Sequence, residues 1–338
     1  MSFNEQVVAG VDPAIEHAMR LALELALRGP QVGPNPQVGC VLLDAAGAVI
    51  AEGWHEGAGT DHAEVMALKA AGEKAHGATA VVTLEPCNHT GRTGPCAQAL
   101  IAAGVARVVY AVSDPGAESA KGAETLSAAG IETIGGVLRA EAEVQAHIWL
   151  TAMRHQRPFV TLKWASSLDG RAAADDGSSR WVSGEASRAD AHHRRSLVDA
   201  ILVGTGTAMI DNPTLTARKP DGTLYEHQPL RVVLGESELP DSLRVFDESA
   251  PSLHLKTQSV HGALAELFER GVRHLMVEGG PKVASKFVRL GLVDEFVLYL
   301  APALLGGERT AIKDIGVGNI ADIKRLEFIE VAPMGEDL

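Results

Sequence analysis

The sequence predicts two α/β domains in tandem. Three observations carry that expectation. Short apolar runs alternate with helical apolar patterns along nearly the whole chain, which is the signature of sheets covered by helices. A polar helical stretch at 138–156 interrupts the alternation once, as a connector would. The 338 residues are also the length of two ordinary domains. The expected domains are 1–150 and 151–338.

The elements follow in order. Asp12 can cap a helix over 12–28, with Pro13 at its first position and Gly29 just past its end. The runs at 38–44 and 48–54 read as strands joined by Ala45-Ala46-Gly47, a hairpin. A helical pattern starts at His62, with Val65, Met66, Leu68 and Ala70 at helical spacing. Strands are expected at 79–84, 107–112 and 131–134, and helices at 96–103 and 121–129. Beyond the connector, Pro158 opens a strand through PFVTLKWAS. Further strands are expected at 199–204, 230–234, 252–256, 273–277 and 295–300, with helices at 185–197, 261–270 and 281–290. There is no internal repeat and no low-complexity segment.

Composition removes several function classes. Net charge is −13, which argues against broad binding to nucleic acid or anionic membranes. A single small phosphorylated ligand is still compatible, because one phosphate needs only a few local donors. No apolar run approaches 18 residues, and the N-terminus lacks a basic start followed by an apolar stretch. Three cysteines do not make a disulfide framework, and a reducing cytoplasm is the expected compartment.

The residues that point to chemistry are His62-Ala63-Glu64, Pro86-Cys87 and Pro95-Cys96. Zinc takes nitrogen and sulfur ligands tetrahedrally, and a catalytic site uses three and leaves a fourth position for water. His62, Cys87 and Cys96 supply three. Glu64 is then spare, and a spare carboxylate beside zinc-bound water can shuttle protons. His62 and Cys96 fall at expected helix N-termini, which favour a thiolate. Cys87 falls just past an expected strand end. The zinc-deaminase signature pairs H-x-E with P-C-x-x-C. Here the first half matches, but eight residues separate the cysteines. The bland reading is two buried thiols and a surface His-Glu pair. A closed, non-catalytic zinc site would need Cys40 or His89 as a fourth ligand, and Cys40 reads as a core residue on its strand. A nucleic-acid deaminase is disfavoured by the acidic charge.

The segment between the cysteines, Asn88-His89-Thr90-Gly91-Arg92-Thr93-Gly94, resembles that of the bifunctional riboflavin-biosynthesis deaminase/reductases. Pro34-Asn35-Pro36-Gln37-Val38-Gly39-Cys40, Gly53 with His55, and Ser113-Asp114-Pro115 follow in the family's order. The resemblance continues through Thr161-Leu162-Lys163, Ser167 to Arg171, Ser179-Arg180-Trp181, Asp211 to Arg218 and Val277 to Gly280. It covers nearly the whole chain. It implies a cytidine-deaminase-like α/β sandwich followed by a dihydrofolate-reductase-like α/β domain.

The implied chemistry has two steps. Zinc-dependent hydrolysis removes an amino group from 2,5-diamino-6-ribosylamino-4(3H)-pyrimidinone 5′-phosphate. NADPH then reduces the ribosyl to a ribityl chain. In the first domain His62, Cys87 and Cys96 match the zinc ligands and Glu64 the proton-transferring glutamate. Asn35, His55, His89 and Arg92 match positions holding the pyrimidine and its ribose phosphate. One departure stands out: the family often has Asp-Pro-Asn-Pro where this chain has Asp114-Pro115-Gly116-Ala117.

In the second domain no G-x-G-x-x-G is present. Gly204-Thr205-Gly206-Thr207 and Glu278-Gly279-Gly280-Pro281 follow expected strands instead. Alone they read as tight turns. By resemblance, Ser179, Arg195, Leu215, Arg218 and Glu278 match the sugar-phosphate positions. Ala165, Trp181, Thr207, Asp211, Gly280, Pro281 and Lys282 match those of the cofactor. Lys163 is expected to act near the reacting sugar. Met334 to Leu338 resemble the opening of the family's final strand, so a shortened C-terminus is expected. A homo-oligomer, dimer or tetramer, is the expected assembly. The rival reading is a single-activity deaminase whose second domain does not reduce.

Overall fold

The computed structural model describes residues 12–89, 94–117 and 119–338. The chain divides into two compact units, Met1–His155 and Gln156–Leu338.

The first unit contains helix α1 (Pro13–Ala26), strands β1 (Gly39–Leu43) and β2 (Val49–Trp54), and helix α2 (Ala63–Ala71). Strand β3 (Thr79–Leu84), helix α3 (Cys96–Ala102), strand β4 (Arg107–Val112), helix α4 (Gly122–Ala128) and strand β5 (Glu132–Gly135) follow. The sheet order is β2-β1-β3-β4-β5. β1 runs antiparallel to both neighbours, and β3, β4 and β5 are parallel. β1 is buried at every residue, as a central strand covered on both faces must be. Cys40, Leu42, Ala80, Val82 and Val108 face α2 and α3. Val41, Leu43, Val81 and Val109 face α1. The Asp12 side chain accepts from the Ala14 amide and Pro13 opens the helix, as the sequence predicts.

The stretch 138–156, expected to be one connector helix, is two: α5 (Arg139–Gln145) and α6 (His147–His155). Both belong to the first unit. Ala142 and Leu150 enter the α1-side core, so the break falls at 155/156 and not at 150/151.

The second unit contains β6 (Phe159–Ser167), α7 (Glu185–Arg195), β7 (Ala200–Gly204), α8 (Thr205–Asp211), β8 (Leu230–Leu234) and β9 (Ser252–Leu255). It continues with α9 (Val260–Glu269), β10 (His274–Val277), α10 (Pro281–Arg289) and β11 (Glu295–Ala301). All six strands are parallel, in the order β11-β6-β10-β7-β8-β9. α9 and α10 cover one face through Leu264, Leu267, Phe287 and Val288 against Leu202, Val232 and Val277. Ile201, Val203 and Val233 point to the other face and meet Ala208, Leu215 and Val245. This period-two split is what a doubly covered sheet requires.

After β11, residues 302–338 hold one short 3₁₀ turn, Ile320–Asp322, and isolated bridges. Their apolar side chains are largely exposed, Phe328 at 91% and Ile329 at 92%. At the end of the chain, Leu338 exchanges both backbone hydrogen bonds with Leu300 of β11, at 2.8 and 3.0 Å. The buried Asp337 carboxylate accepts from the Gly184 amide (2.7 Å) and the Ser187 hydroxyl (2.6 Å) at the start of α7.

Candidate active sites

The first site forms where β3 ends and two helices begin. His62 precedes the first residue of α2, Cys87 lies just past β3, and Cys96 is the first residue of α3. Gly53 sets the approach of α2 to β2, because a Cβ there would stand 2.2 Å from the Ala63 carbonyl oxygen. His62 Nδ1 is 3.2 Å from Cys96 Sγ and 3.6 Å from Cys87 Sγ. A tetrahedron with bonds of about 2.0–2.3 Å has edges of about 3.5 Å, so these donors fit zinc. Among the described residues, this is the one group of three or more metal-ligating side chains so gathered. Cys40 lies in the core between β1 and α2.

The electrostatics favour metal and proton transfer. A hydrogen bond joins the two thiols. The Cys96 thiol draws Cys87 well down from the ordinary range, to about 4, with His62 assisting, while that hydrogen bond and burial push Cys96 up. The Cys96 amide also donates to Cys87 Sγ at 3.4 Å. Glu64, 3% exposed, is pushed up to about 7, first by burial and then by the Cys87 charge.

Around this centre the structure joins Asn35 to His55: the amide nitrogen donates to Nε2 at 2.9 Å. Nδ1 of the same ring reaches the Asp61 carbonyl at 3.1 Å, which fixes a neutral tautomer, and burial lowers its proton affinity. The His55 ring stands edge-on to His62, 5.2 Å between centroids. His89 carries a buried Nδ1 with no hydrogen-bond partner among the described residues. Arg92 lies outside the described residues.

Two supports had no sequence signal. Trp149 of α6 donates to the Pro34 carbonyl at 3.0 Å and steadies the Asn35 loop. Glu85 accepts from the Asp114 and Ala123 amides at 3.2 and 3.0 Å, which pins the segment leading to Cys87. Only their partners, brought from distant loops, mark them.

The second site lies at the carboxyl ends of β6, β10 and β7, where ligand crevices of parallel sheets form. Arg195 of α7 pairs bidentately with Glu278, just past β10, at 2.6 and 2.8 Å. Lys163 of β6 stands 3.9 Å from the same carboxylate. Burial pushes Glu278 up, but Arg195 and Lys163 more than reverse that and hold it at about 2. Burial lowers the proton affinity of Lys163, partly offset by Glu278. Leu215 is buried with φ +55°, inside the loop that brings Arg218 near. Ala165 pairs with Tyr299 across β6 and β11.

On the neighbouring crevice, Gly280 caps α10 at φ +57°, with Pro281 at the first helical position. A Cβ on Gly280 would lie 2.7 Å from Thr207 Oγ1, and one on Gly279 would lie 3.0 Å from Val203 Cα. Such bare backbone at a helix start suits a dinucleotide phosphate. Trp181 is 70% exposed, with Arg180 and Arg188 over its ring. Arg180 also donates to the Asp211 carbonyl at 2.8 Å. Lys282 is exposed on α10. Among the described residues, no hydrogen bond or ion pair joins Ser179 or Lys282 to the Arg195–Glu278–Lys163 cluster.

A triangle of zinc-type ligands beside a buried carboxylate in one α/β unit, and a cationic crevice at the strand ends of the next, are the two sites of a two-domain enzyme. Comparison with known proteins agrees. Residues 13–112 match the cytidine and deoxycytidylate deaminase zinc-binding region. Residues 158–338 match the RibD C-terminal domain. The chain is 47% identical over 328 residues to the riboflavin biosynthesis protein RibD of Mycobacterium tuberculosis, covering 96% of each. It superposes on Acinetobacter baumannii RibD with a TM-score of 0.86 at 36% identity, covering 96% of this chain and 97% of that one. A Thermotoga maritima diaminohydroxyphosphoribosylaminopyrimidine deaminase/5-amino-6-(5-phosphoribosylamino)uracil reductase gives 0.81 at 34% identity, with the same coverage. The chain belongs to the RibD family. The expected fold classes, a deaminase-like unit followed by a reductase unit, are borne out.

Proposed function

We propose that the chain performs consecutive steps of riboflavin biosynthesis, deamination in residues 1–155 and reduction in residues 156–338. The observation that carries this reading is the His62–Cys87–Cys96 triangle with a buried Glu64 beside it, in a chain whose second half is a RibD C-terminal domain. The substrate is 2,5-diamino-6-ribosylamino-4(3H)-pyrimidinone 5′-phosphate.

In the first unit His62, Cys87 and Cys96 would hold zinc, which when bound would supply Lewis acidity and acidify a water. Glu64, itself poised near neutrality, would accept a proton from the attacking water and pass it to the ring and the departing amine. Asn35 and the neutral His55 orient the pyrimidine, and the unpartnered His89 Nδ1 offers it a further hydrogen bond. Arg92 binds the ribose phosphate.

In the second unit NADPH, when bound, would supply the hydride for C1′ of the ring-opened imine. Gly280, Pro281, Lys282 and Thr207 would hold the cofactor's phosphates, and Ala165, Trp181 and Asp211 would line the rest of its site. Lys163, whose proton is loosened by burial, protonates the imine nitrogen as the carbon is reduced. Arg218, Arg195, Ser179, Leu215 and Glu278 hold the sugar phosphate.

A cytoplasmic homo-oligomer, dimer or tetramer, fits the rest. The three cysteines are free, and the apolar side chains over 320–331 are exposed. No described helix is long and apolar enough to cross a membrane. Mass spectrometry of the product, with and without NADPH, tests the central reading. Deamination alone without NADPH, and deamination plus reduction with it, is the expected result. Deamination alone in both tubes would refute the reductase half.

A further inference from the structure

Arg195 and Arg218 sit in one cleft but in opposite electrostatic states. Arg195 spends its guanidinium on Glu278. Arg218 has no carboxylate among the described residues. Its Nη1 donates to the Thr214 and Thr216 hydroxyls, at 2.7 and 3.0 Å, and its Nη2 lies 3.1 Å from His192 Nε2. Every acceptor it has is neutral, so its charge stays uncompensated.

The state of His192 follows from its neighbours. A guanidinium can only donate, so Nε2 presents a lone pair to Arg218. The Thr216 carbonyl, 3.0 Å from Nδ1, can only accept, so Nδ1 carries the ring proton. The opposite tautomer could take the Arg218 amide and Arg195 Nη1, at 3.3 and 3.4 Å from Nδ1. It would then aim an N–H at Arg218 Nη2 and a lone pair at the carbonyl, both at shorter range. A doubly protonated ring would set a cation against two arginines. Burial first, then Arg195 and Arg218, lowers His192 to about 4, against the opposing charge of Glu278.

We infer that His192 is a positioning residue of the reductase site, a neutral acceptor that orders Arg218 for the substrate phosphate without neutralising it. The inference rests on reading this cleft as the phosphosugar site. A carboxylate at 192 would pair Arg218 as Glu278 pairs Arg195 and would compete with phosphate. An ammonium would repel it. Imidazole gives direction without charge. His192 and Arg195 lie three residues apart on α7, hence on one helical face, so one helix carries both devices.

The test uses the full-length zinc-loaded protein and steady-state reduction of the deaminated substrate. Inhibition of that reaction by inorganic phosphate and by ribose 5-phosphate is measured alongside. The variants are H192A, H192Q, H192E and R218Q, and the urea-unfolding midpoint of each one's second unit serves as its folding control. H192A should raise KM and weaken both inhibitors about tenfold, the effect of losing one hydrogen bond to a charged group, with kcat within about threefold. H192Q should restore both, since its amide oxygen can accept in place of Nε2. H192E should be worse than H192A. An H192A variant with unchanged KM and inhibition, or H192E matching H192Q, or a loss confined to kcat, would overturn the inference. If R218Q alone raised KM in that case, the phosphate reading would stand. If R218Q also left KM and inhibition unchanged, the phosphate reading would fall too.

Discussion

At the scale of single residues, burial does most of the tuning. Glu64 is nearly inaccessible, and loss of hydration is the main reason its proton stays on near neutrality. Glu64→Gln keeps the shape and removes the proposed shuttle. Deamination should fall by about 10²–10⁴-fold, the usual worth of a general acid–base group, with zinc content by metal analysis and NADPH oxidation unchanged. Gly280 shows the opposite demand, for emptiness. Gly280→Ala would place a methyl group against Thr207 and force a left-handed conformation on a residue that disfavours it. Strain of about 1–3 kcal/mol is expected. KM for NADPH should rise several-fold while deamination is untouched. The zinc donors were readable because each sits in a short segment with its own local signal. Glu85, Trp149 and His192 were not, since their roles depend on carbonyls, amides and a guanidinium from elsewhere in the chain.

At the scale of elements, helix caps and strand runs were the most readable features. α1 begins at its predicted cap, and the β1–β2 hairpin closes where Ala45-Ala46-Gly47 suggests. α8 was not readable. Two glycines in Gly204-Thr205-Gly206-Thr207 signal a turn, yet Ala208 and its neighbours are held helical against β7 and β8. The elements around the second site are tied by the Arg195–Glu278 pair, which joins α7 to the end of β10. Breaking a buried pair leaves one charge unmatched, so Glu278→Gln should destabilise the second unit by about 3–5 kcal/mol in urea unfolding. The pH dependence has a defined sign. The native carboxyl titrates below its unfolded value, so its contribution is present above about 4.3 and fades as the pH falls toward about 2. The stability gap between the parent protein and E278Q should therefore narrow between pH 5 and pH 3. A gap that stayed constant would disprove the assignment.

At the scale of the whole molecule, the two units separate the two chemistries. A strong chelator should abolish deamination, lower the melting temperature of the first unit and leave reduction by NADPH intact. Calorimetry with parallel assays of both reactions would check this, and loss of reduction would contradict it. The alternation of strands and helices made two α/β domains readable, and the cysteine segment made the first site readable. Strand order was not. Nothing in the local pattern says that β6 lies between β11 and β10, because sheet neighbours are chosen by long-range packing. The fate of residues 302–338 was equally hidden, since no element was expected there before Met334, and much of their apolar content is exposed.

The placement of β6 bears on how the chain is made. β6 is the first strand of its unit to leave the ribosome, yet its partners are β10 and β11, with Phe159 facing His274 and Thr161 facing Glu295. Its backbone must wait unpaired through most of the unit's synthesis. Folding of that half is therefore tied to the completion of translation, because long-range parallel pairing is intrinsically slow. Nascent chains stalled before β10 should yield a protease-resistant first unit and a digestible second.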